Sequence, residues 1–308
     1  MQEIEFKQKF IERYSRLTNF KEFKKYSLKF LRRSIRVNTL KISIEELKER
    51  LERNWELEQI PWCKEGFYIK HKISERRDIG NLIEHTLGYF YVQEAVSMIP
   101  TVVLEPKPDE IILDMCASPG SKATQIAQYM NNKGLLVAND YRGIRIAPLG
   151  INLQRMGVTN TIITLMEGRF FKNLEFDKIL VDAPCSGTGT IRKSLKTLRI
   201  WNPDMVKRLS AQQRQLVDTA FQNLKKDGIL VYSTCSLEPE EDEYVIDYLL
   251  NKYENAKLEK IELRGLKSSD PILNFGDKEF NSEIKKCLRL WPQDNDTEGF
   301  FVAKIRKI

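Results

Sequence analysis

The sequence predicts an α/β fold, an open parallel sheet with helices on both faces, preceded by a small α+β module. From residue 110 onward, short apolar runs of strand length alternate with longer segments of helical periodicity. This alternation is typical of parallel strands joined by crossover helices. A chain of 308 residues is also long enough for one large and one smaller domain. We expect a basic helical segment and the small module over 1–75, a connection over 76–109 and the large domain over 110–308.

Composition excludes several classes of protein. No apolar stretch approaches the ~18 residues that a membrane helix needs. The cysteines lie far apart and form no CxxC pair, so neither a disulfide framework nor a metal site is predicted. They are Cys63, Cys116, Cys185, Cys235 and Cys287. We expect a cytoplasmic, monomeric protein without a metal.

The positive charge is concentrated at the N-terminus. Residues 1–36 carry eleven Lys and Arg against four Glu, a net charge of +7 that equals the net charge of the whole chain. Aromatic residues are interleaved with these charges, namely Phe6, Phe10, Tyr14, Phe20, Phe23 and Tyr26. The pattern favours binding of a polyanion such as RNA. The alternative is a pair of amphipathic helices with a solvated basic face.

The small module is predicted from a change of periodicity. Residues 1–30 are expected to be helical, and residues 34–40 alternate as a strand does. Ser43 and Glu46 form a capping-box pattern at the start of a short helix. Strand-like runs follow at Trp55–Ile60 and Phe67–Ile69. The segment 88–95 is expected to join this module, which we interpret as RNA-binding, to the large domain.

The large domain is justified element by element. Strands are predicted at 111–115, 135–138, 161–166, 179–181 and 229–234. Helices are predicted from Ser121, from Ile144 to Met156 with Gly157 as the C-cap, and from Ser210 to about Leu224.

The ends of these strands indicate a nucleoside cofactor without phosphates. Gly120 stands alone where a dinucleotide fold has G-x-G-x-x-G, so close approach of a pyrophosphate is not provided for. Successive strands end in Asp114, Asp140 and Glu167. Each acid taken singly could be a helix cap or a surface charge, but together they predict S-adenosylmethionine. Asp114 would lie at its methionine end, Asp140 at the ribose and Glu167 near the adenine.

Cysteines follow the next strands, and they indicate what receives the methyl group. Cys185 follows Asp182 closely, and Cys235 ends the last predicted strand, so both thiols are expected at one rim of the sheet. A thiolate that adds to carbon-6 of cytosine makes carbon-5 nucleophilic, and Asp182 could supply an acid near nitrogen-3. Residues 238–242 are interpreted as a helical first turn that favours a thiolate at Cys235. Small core cysteines are the alternative, and the residues alone leave open which thiol attacks.

These motifs resemble the Nop/Sun family of RNA cytosine-5 methyltransferases, from about residue 30 to the end. The matching motifs are Asp182-Ala183-Pro184-Cys185-Ser186-Gly187, Ser233-Thr234-Cys235-Ser236, Cys116-Ala117-Ser118-Pro119-Gly120-Ser121-Lys122, Arg36-Val37-Asn38-Thr39-Leu40, Gln93-Glu94, Arg289-Leu290-Trp291-Pro292 and Gly299-Phe300-Phe301. The resemblance implies a Rossmann-like methyltransferase sheet. The chain departs from the family pattern at Glu167, where Asp is usual, and at Gln293, where His is common.

The resemblance also implies residue roles. Cys235 would be the nucleophile, Cys185 would assist product release, and Asp182 and Pro184 would hold the cytosine edge. The residues expected around the cofactor are Cys116, Ala117, Ser118, Pro119, Gly120, Ser121, Lys122, Asp140, Arg145, Glu167 and Asp182.

Substrate choice depends on the compact length of the chain, which resembles archaeal members that act on tRNA. Ribosomal RNA is the main alternative, followed by an exocyclic-amine methyltransferase and a non-catalytic RNA-binding protein. A basic run directly after the Cys185 motif is interpreted as phosphate contacts beside the target base. It consists of Arg192, Lys193, Lys196 and Arg199, with Trp201.

Overall fold

A computed structural model describes residues 6–74, 76 and 78–308. The first five positions of the predicted N-terminal helix, and the predicted module boundary at Glu75, lie outside the described residues. The N-terminal segment contains helices α1 (Gln8–Ser15) and α2 (Phe20–Leu28). Phe10, Tyr14 and Phe23 on these helices are buried against Trp201 and Trp291 of the large domain. These aromatic rings therefore form part of the core, as the alternative of an amphipathic helix pair predicts.

The small module is an antiparallel sheet with strand order β2-β3-β1-β4. Its elements are β1 (Ser34–Val37), α3 (Ile44–Leu51), β2 (Trp55–Gln59), β3 (Gly66–His71), α4 (Ile83–Thr86) and β4 (Phe90–Val92). The capping box at Ser43 and Glu46 is present as predicted. Strand β4 lies in the segment expected to be a connection, and it pairs with β1. The small sheet therefore extends to Val92, beyond residue 75.

The large domain is built on a mixed sheet with strand order β10-β14-β9-β8-β5-β6-β7, in which β13 also pairs with β14. Its elements are α5 (Ile99–Leu104), β5 (Ile111–Asp114), α6 (Ser121–Tyr129), β6 (Leu135–Asp140), α7 (Gly143–Met156), β7 (Thr161–Leu165), β8 (Phe176–Asp182), α8 (Lys196–Ile200), α9 (Pro203–Gln222), β9 (Leu224–Thr234), α10 (Glu243–Lys252), β10 (Ala256–Glu259), β11 (Asn274–Phe275), β12 (Lys278–Glu279), β13 (Leu288–Leu290), α11 (Pro292–Asn295) and β14 (Phe300–Lys307).

Strands β5 to β9 are the predicted parallel strands, and they are paired in parallel. Apolar side chains of α5, α6 and α7 form a core on one face, and those of α9 and α10 form a core on the other. The predicted α/β fold with helices on both faces is confirmed. The sequence analysis missed β14, which runs antiparallel between β9 and β10.

Two helices begin elsewhere than predicted. Helix α9 begins at Pro203 and not at Ser210, because the Asn202 side chain caps it by accepting a hydrogen bond from the Met205 amide at 2.8 Å. Helix α10 begins at Glu243, so residues 238–242 form a turn before the helix and not its first turn. The interpretation of a helix N-terminus directly behind Cys235 is therefore wrong.

Candidate active site

The carboxyl ends of the parallel strands surround a cavity of about 550 Å³. Ligands bind at this end of open α/β sheets, where crossovers on either side of β5 leave a crevice. The cavity is lined by Met115, Cys116, Ser118, Asn139, Asp140, Tyr141, Arg145, Glu167, Gly168, Arg169, Asp182, Ala183, Pro184, Cys185, Gln212, Gln215, Leu216 and Cys235. One continuous space therefore joins the predicted cofactor residues to both predicted thiols.

The Cys185 and Cys235 sulphur atoms lie 3.3 Å apart. Strand β8 leads into one and β9 into the other, and these strands are adjacent and parallel. The loops are joined directly, because the Gly189 amide donates to the Cys235 carbonyl at 2.9 Å and the Gly299 amide donates to the Gly189 carbonyl at 2.9 Å. A Cβ atom at Gly189 would lie 2.2 Å from the Gly299 oxygen, so a side chain there would separate the loops.

Serine and threonine hydroxyls make a second connection between the cysteine loops. The Ser186 and Ser236 Oγ atoms lie 3.1 Å apart, and the Leu237 amide donates to Thr188 Oγ1 at 2.9 Å. Glu241 closes this network by accepting from the Ser186 amide at 3.1 Å and the Ser186 hydroxyl at 2.7 Å. Burial raises the pKa of Glu241 to about 7, against these hydrogen bonds. The site thus contains a structural carboxyl group that the sequence analysis did not assign.

Arg289 neutralises the acidic turn that follows Cys235. Its guanidinium is buried and meets both carboxylate oxygens of Glu243 at 2.6 Å and Asp242 Oδ2 at 3.1 Å. Its Nη1 also donates to the Leu237 carbonyl at 3.1 Å. The closing Arg-Leu-Trp-Pro motif therefore supports the shape of the Cys235 loop and does not face the cavity.

The pKa of the Cys185 thiol is raised well above its usual range. The hydrogen bond with Cys235 is the main cause, and burial adds to it. Cys185 therefore keeps its proton at neutral pH and can donate it toward the Cys235 sulphur.

Asp182, at the end of β8, is held from two sides. Its Oδ2 accepts from Lys122 Nζ at 2.7 Å, and its Oδ1 accepts from the Ser233 hydroxyl at 2.8 Å. Burial by itself lowers the pKa of Lys122, but the carboxylate of Asp182 more than offsets this, so the pKa is raised and the ammonium is kept. Lys122 Nζ also donates to Ser97 Oγ at 3.0 Å. Lys122 therefore contacts the predicted cytosine-binding acid and does not line the cavity.

Asp114 is fully buried at the end of β5. Burial, followed by the charge of Asp182, raises its pKa to about 7, and Lys122 and the Cys116 amide oppose this rise. Within the described part of the chain, neither of its carboxylate oxygens has a side-chain hydrogen-bond partner. Asp114 does not line the cavity, but Met115 and Cys116, which follow it directly, do. An unpaired buried carboxyl group is costly, and a cationic group bound close by would stabilise it.

The other predicted cofactor residues divide into two groups. Cys116, Ser118, Asp140, Arg145, Glu167 and Asp182 line the cavity, whereas Ala117, Pro119, Gly120, Ser121 and Lys122 do not. Asp140 is buried, and its Oδ2 lies 3.1 Å from Arg145 Nε. Ser118 Oγ donates to the Arg145 carbonyl at 2.8 Å. Glu167 is half exposed and pairs with Arg169 at 2.7 Å.

Helix α9 supplies lining residues that the sequence analysis missed. Gln212, Gln215 and Leu216 face the cavity. The neighbouring Gln213 is fully buried, and its Nε2 donates to the Pro184 carbonyl at 2.9 Å. The glutamines at 212, 213 and 215 interrupt an otherwise apolar helical pattern, and this interruption is the sequence signal that could have identified them.

The predicted phosphate contacts after Cys185 are corrected in part. The Arg192 side chain is buried and donates to Asp296 Oδ1 at 2.8 Å and to the carbonyls of Phe30 at 2.8 Å and Thr297 at 2.9 Å. Trp201 is buried in the aromatic core. Neither can meet a phosphate in this conformation, whereas Lys193, Lys196 and Arg199 are exposed. Gln293 lies elsewhere and donates to Thr18 Oγ1 at 2.9 Å.

Metal-binding clusters and membrane-spanning helices are absent from residues 6–74, 76 and 78–308. No group of three or more His, Cys, Asp or Glu side chains among them could hold a metal ion. No helix among them is long and apolar enough to cross a membrane.

Comparison with known proteins agrees with this site. Residues 101–306 match the family model of 16S rRNA methyltransferase RsmB/F, and residues 6–95 match the N-terminal domain of 16S rRNA methyltransferase RsmF. The chain belongs to the RsmB/F family of RNA cytosine-5 methyltransferases. The predicted family and enzyme class are confirmed.

Relatives within the RsmB/F family differ in length. The chain is 50% identical over 302 residues to the tRNA (cytosine(49)-C(5))-methyltransferase of Pyrococcus abyssi, covering 97% of this chain and 96% of the relative. It is 45% identical over 295 residues to ribosomal RNA small subunit methyltransferase F of Shewanella piezotolerans, covering 93% of this chain and 60% of that relative. The chain thus spans about 60% of the length of this bacterial relative.

Solved structures with the same fold include two from Pyrococcus horikoshii. A methyltransferase homologue is 40% identical with a TM-score of 0.82, covering 93% of this chain and 90% of its own. NSun6, solved with SFG, is 26% identical with a TM-score of 0.83, covering 98% of both chains. The predicted Rossmann-like methyltransferase sheet is therefore confirmed by the architecture of relatives as well.

Proposed function

We propose that this enzyme methylates carbon-5 of a cytosine in tRNA through a covalent bond to Cys235. The observation that carries the proposal is the pair of cysteine sulphur atoms, 3.3 Å apart, at a cavity that also reaches Asp140. One end of this cavity suits a nucleoside cofactor, and the other suits a base that a thiol can attack.

The Asp140 end fits S-adenosylmethionine, which supplies an electrophilic methyl group when bound. The buried Asp114 carboxyl group lies behind Met115 and Cys116 of the cavity wall and has no side-chain partner among the described residues. Its charge would therefore favour the ammonium group of the methionine end. Asp140 suits the ribose hydroxyls, and Glu167 and Arg169 stand at the open side of the cavity. The NSun6 structure contains SFG, an analogue of S-adenosylmethionine, which supports this choice.

The thiol end fits the covalent mechanism. The Cys235 sulphur would add to carbon-6 of cytosine, and the electron pair of the carbon-5–carbon-6 double bond would move toward nitrogen-3. The Asp182 carboxylate, beside the sulphur on the rim, would hold the ring edge and relay the proton that the thiol loses to nitrogen-3. Lys122 and Ser233 fix the orientation of the Asp182 carboxylate, so little rearrangement is needed at the moment of attack.

Release of the product needs a proton transfer that Cys185 can perform. The carbon-5 proton must leave, its electron pair must re-form the ring double bond, and the bond from Cys235 to carbon-6 must break. As the carbon-5 proton passes to the Cys185 sulphur, the Cys185 thiol proton passes to the departing Cys235 sulphur, so both cysteines end as thiols. Nitrogen-3 returns its proton to the Asp182 carboxylate, which passes it to solvent. The raised pKa of Cys185 supports this role, because the group is protonated before release and becomes basic as that proton leaves.

The tRNA substrate is supported by the tRNA methyltransferase of Pyrococcus abyssi, which matches this chain over almost its whole length. The bacterial ribosomal RNA methyltransferase is covered over 60% of its length. A monomeric state stays a prediction. The cytoplasmic location stays a prediction.

Trapping with 5-fluorocytosine tests the chemistry, since fluorine at carbon-5 prevents the final elimination. We expect the wild-type protein and Cys185→Ala to give an RNA adduct that survives denaturing electrophoresis. Cys235→Ala should give neither adduct nor methylation. Cys287→Ala, which removes a buried core thiol, is the matched control and should retain both activities.

The outcomes separate the alternatives. Methylation without any adduct would favour an exocyclic-amine methyltransferase, and RNA binding without methylation would favour a non-catalytic protein. An adduct that persists in Cys235→Ala and disappears in Cys185→Ala would reverse the two roles. Transcripts of tRNA and small-subunit ribosomal RNA, assayed side by side, decide between the two substrates.

A further inference from the structure

Helix α1 is docked on the loop that carries Cys235. Glu238, three positions after the cysteine, is completely buried. Its carboxylate accepts from Arg13 Nε at 2.6 Å, from the Tyr14 hydroxyl at 2.8 Å and from the Trp201 indole at 2.8 Å. Two of these three donors come from α1, so the N-terminal segment supplies most of the hydrogen bonds that hold the Glu238 carboxylate in place.

Glu238 is also joined to the network around the thiols. Its backbone amide donates to Ser236 Oγ at 3.1 Å. Ser236 Oγ in turn lies 3.1 Å from Ser186 Oγ, next to Cys185. If Glu238 moved, Ser236 would move with it, and the hydrogen bond between Ser236 and Ser186 that joins the two cysteine loops would be disturbed.

A buried carboxylate that loses its cationic partner is unstable in place, because desolvation then has no compensation. Either the loop would move toward water or Glu238 would take up a proton, and both changes alter the hydrogen bonds that hold the cysteine loops together. Small displacements of reacting groups lower rates strongly.

We propose that α1 is a positioning element for the Cys235 loop, and that Arg13 and Tyr14 are positioning residues that act through Glu238. The proposal rests on the proposed function only in naming Cys235 as the group that is positioned. The composition of the N-terminal segment suggests that its charges bind RNA. Arg13 instead forms an ion pair with Glu238 inside the protein.

The competing explanation is that α1 binds RNA phosphates through its basic side chains. Arg16 provides a matched control, because it caps the C-terminal end of α1 and is exposed. Within the described part of the chain it has no ion pair or side-chain hydrogen bond. Arg13→Gln and Arg16→Gln remove the same charge, but Arg13→Gln alone disturbs Glu238.

Steady-state methylation of tRNA distinguishes the two explanations. We expect Arg13→Gln to lower kcat by about tenfold or more with KM for tRNA changed by less than about twofold, and Arg16→Gln to leave kcat unchanged. Tyr14→Phe, which removes one hydrogen bond, should lower kcat by a smaller factor. Arg13→Gln/Glu238→Gln should recover most of the lost kcat, because a pair of amides replaces the unpaired Glu238 carboxylate. Glu240, the second ion-pair partner of Arg13, is partly exposed and can be hydrated.

Alkylation of Cys185 and Cys235 by iodoacetamide, followed by mass spectrometry, provides a readout that does not need turnover. Arg13→Gln should change the alkylation rates by about tenfold and Arg16→Gln should not. Equal loss of activity in both variants through KM, or unchanged kcat and alkylation in Arg13→Gln, would overturn the proposal. Failure of the wild-type protein to form an adduct would count against the proposed function, while the alkylation comparison would still decide the role of α1.

Discussion

Replacing Asp114 by Asn should make the cofactor-free enzyme more stable and less able to bind its cofactor. Asp114 is fully buried, and its pKa is raised from an ordinary 3.8 to about 7. A pKa unit corresponds to about 1.4 kcal/mol, so the ionised carboxylate lowers the free energy of unfolding by up to about 4 kcal/mol. The Asn side chain has nearly the same shape and is neutral at every pH.

The sign of the pH dependence follows from the raised pKa. Below about pH 3 the carboxyl group is protonated in the folded and unfolded states, so it costs nothing. As pH rises, the unfolded chain ionises first and stability is lost until the pH passes the folded pKa near 7. The advantage of Asp114→Asn should therefore grow from about 1.5 kcal/mol at about pH 5 to about 4 kcal/mol at about pH 8.

Urea unfolding at these two pH values, without cofactor, measures the difference. Asp177→Asn is an informative control, because the pKa of Asp177 is lowered: burial raises it, but the hydrogen bond from Lys225 prevails. Its stabilising effect is present above the ordinary pKa and lost in acid, so this variant should be destabilised most at high pH. Calorimetry should show S-adenosylmethionine affinity falling by about tenfold or more in Asp114→Asn.

The explanation would be refuted if Asp114→Asn were no more stable than the wild type at pH 8, or if its advantage were the same at both pH values. Unchanged cofactor affinity would remove Asp114 from the binding site but leave the stability result standing.

The remaining predictions concern other parts of the site. Asp140→Ala should weaken S-adenosylmethionine binding about tenfold or more in calorimetry, as loss of charge-assisted hydrogen bonds would give. Arg192→Ala should lower the free energy of unfolding by about 3–5 kcal/mol, because it leaves buried acceptors and part of the Asp296 charge without a partner. Lys196 is exposed, so Lys196→Ala should instead reduce the salt dependence of RNA binding. Gln213→Leu should lower kcat with little change in KM, because the Pro184 carbonyl loses its donor.

Each of these predictions has a contradicting result. Unchanged cofactor affinity in Asp140→Ala would exclude it from the ribose site. A stable Arg192→Ala protein with a reduced salt slope would restore that residue as a phosphate contact. Full activity of Gln213→Leu would show that the Pro184 loop is held by the cysteine network alone.

Much of the large sheet can be predicted from the sequence because its parallel strands are buried on both faces. Runs such as Ile179–Val181 are apolar without interruption, and the residues that end them mark the site. The capping box at Ser43 is equally local. These features depend on neighbours in sequence, so pattern and motif suffice.

Features that depend on distant partners could not be predicted in this way. Arg192 looks like any exposed cation in a basic loop. It is buried because the carbonyls of Phe30 and Thr297 and the carboxylate of Asp296, in the segments that follow α2 and α11, surround it. Trp201 likewise follows four basic residues, but its ring packs against Phe10 at 5.0 Å between centroids. The acids after Cys235 look like a helix start, yet Arg13 and Arg289 bind them from opposite ends of the chain. Strand β14 was missed because no crossover helix precedes it.

The connections that hold the thiols together have a consequence for how the chain acquires its activity. Arg13 and Glu238 are 225 positions apart, and Ser186 and Glu241 are 55 apart. Contacts of such high sequence separation form slowly, because the entropy of closing the intervening loops must be lost before they stabilise anything. We therefore expect the thiol pair to assemble late in folding. A nascent or partly refolded chain would then hold two separate cysteines of ordinary reactivity, and it would not become covalently attached to RNA that it could not release.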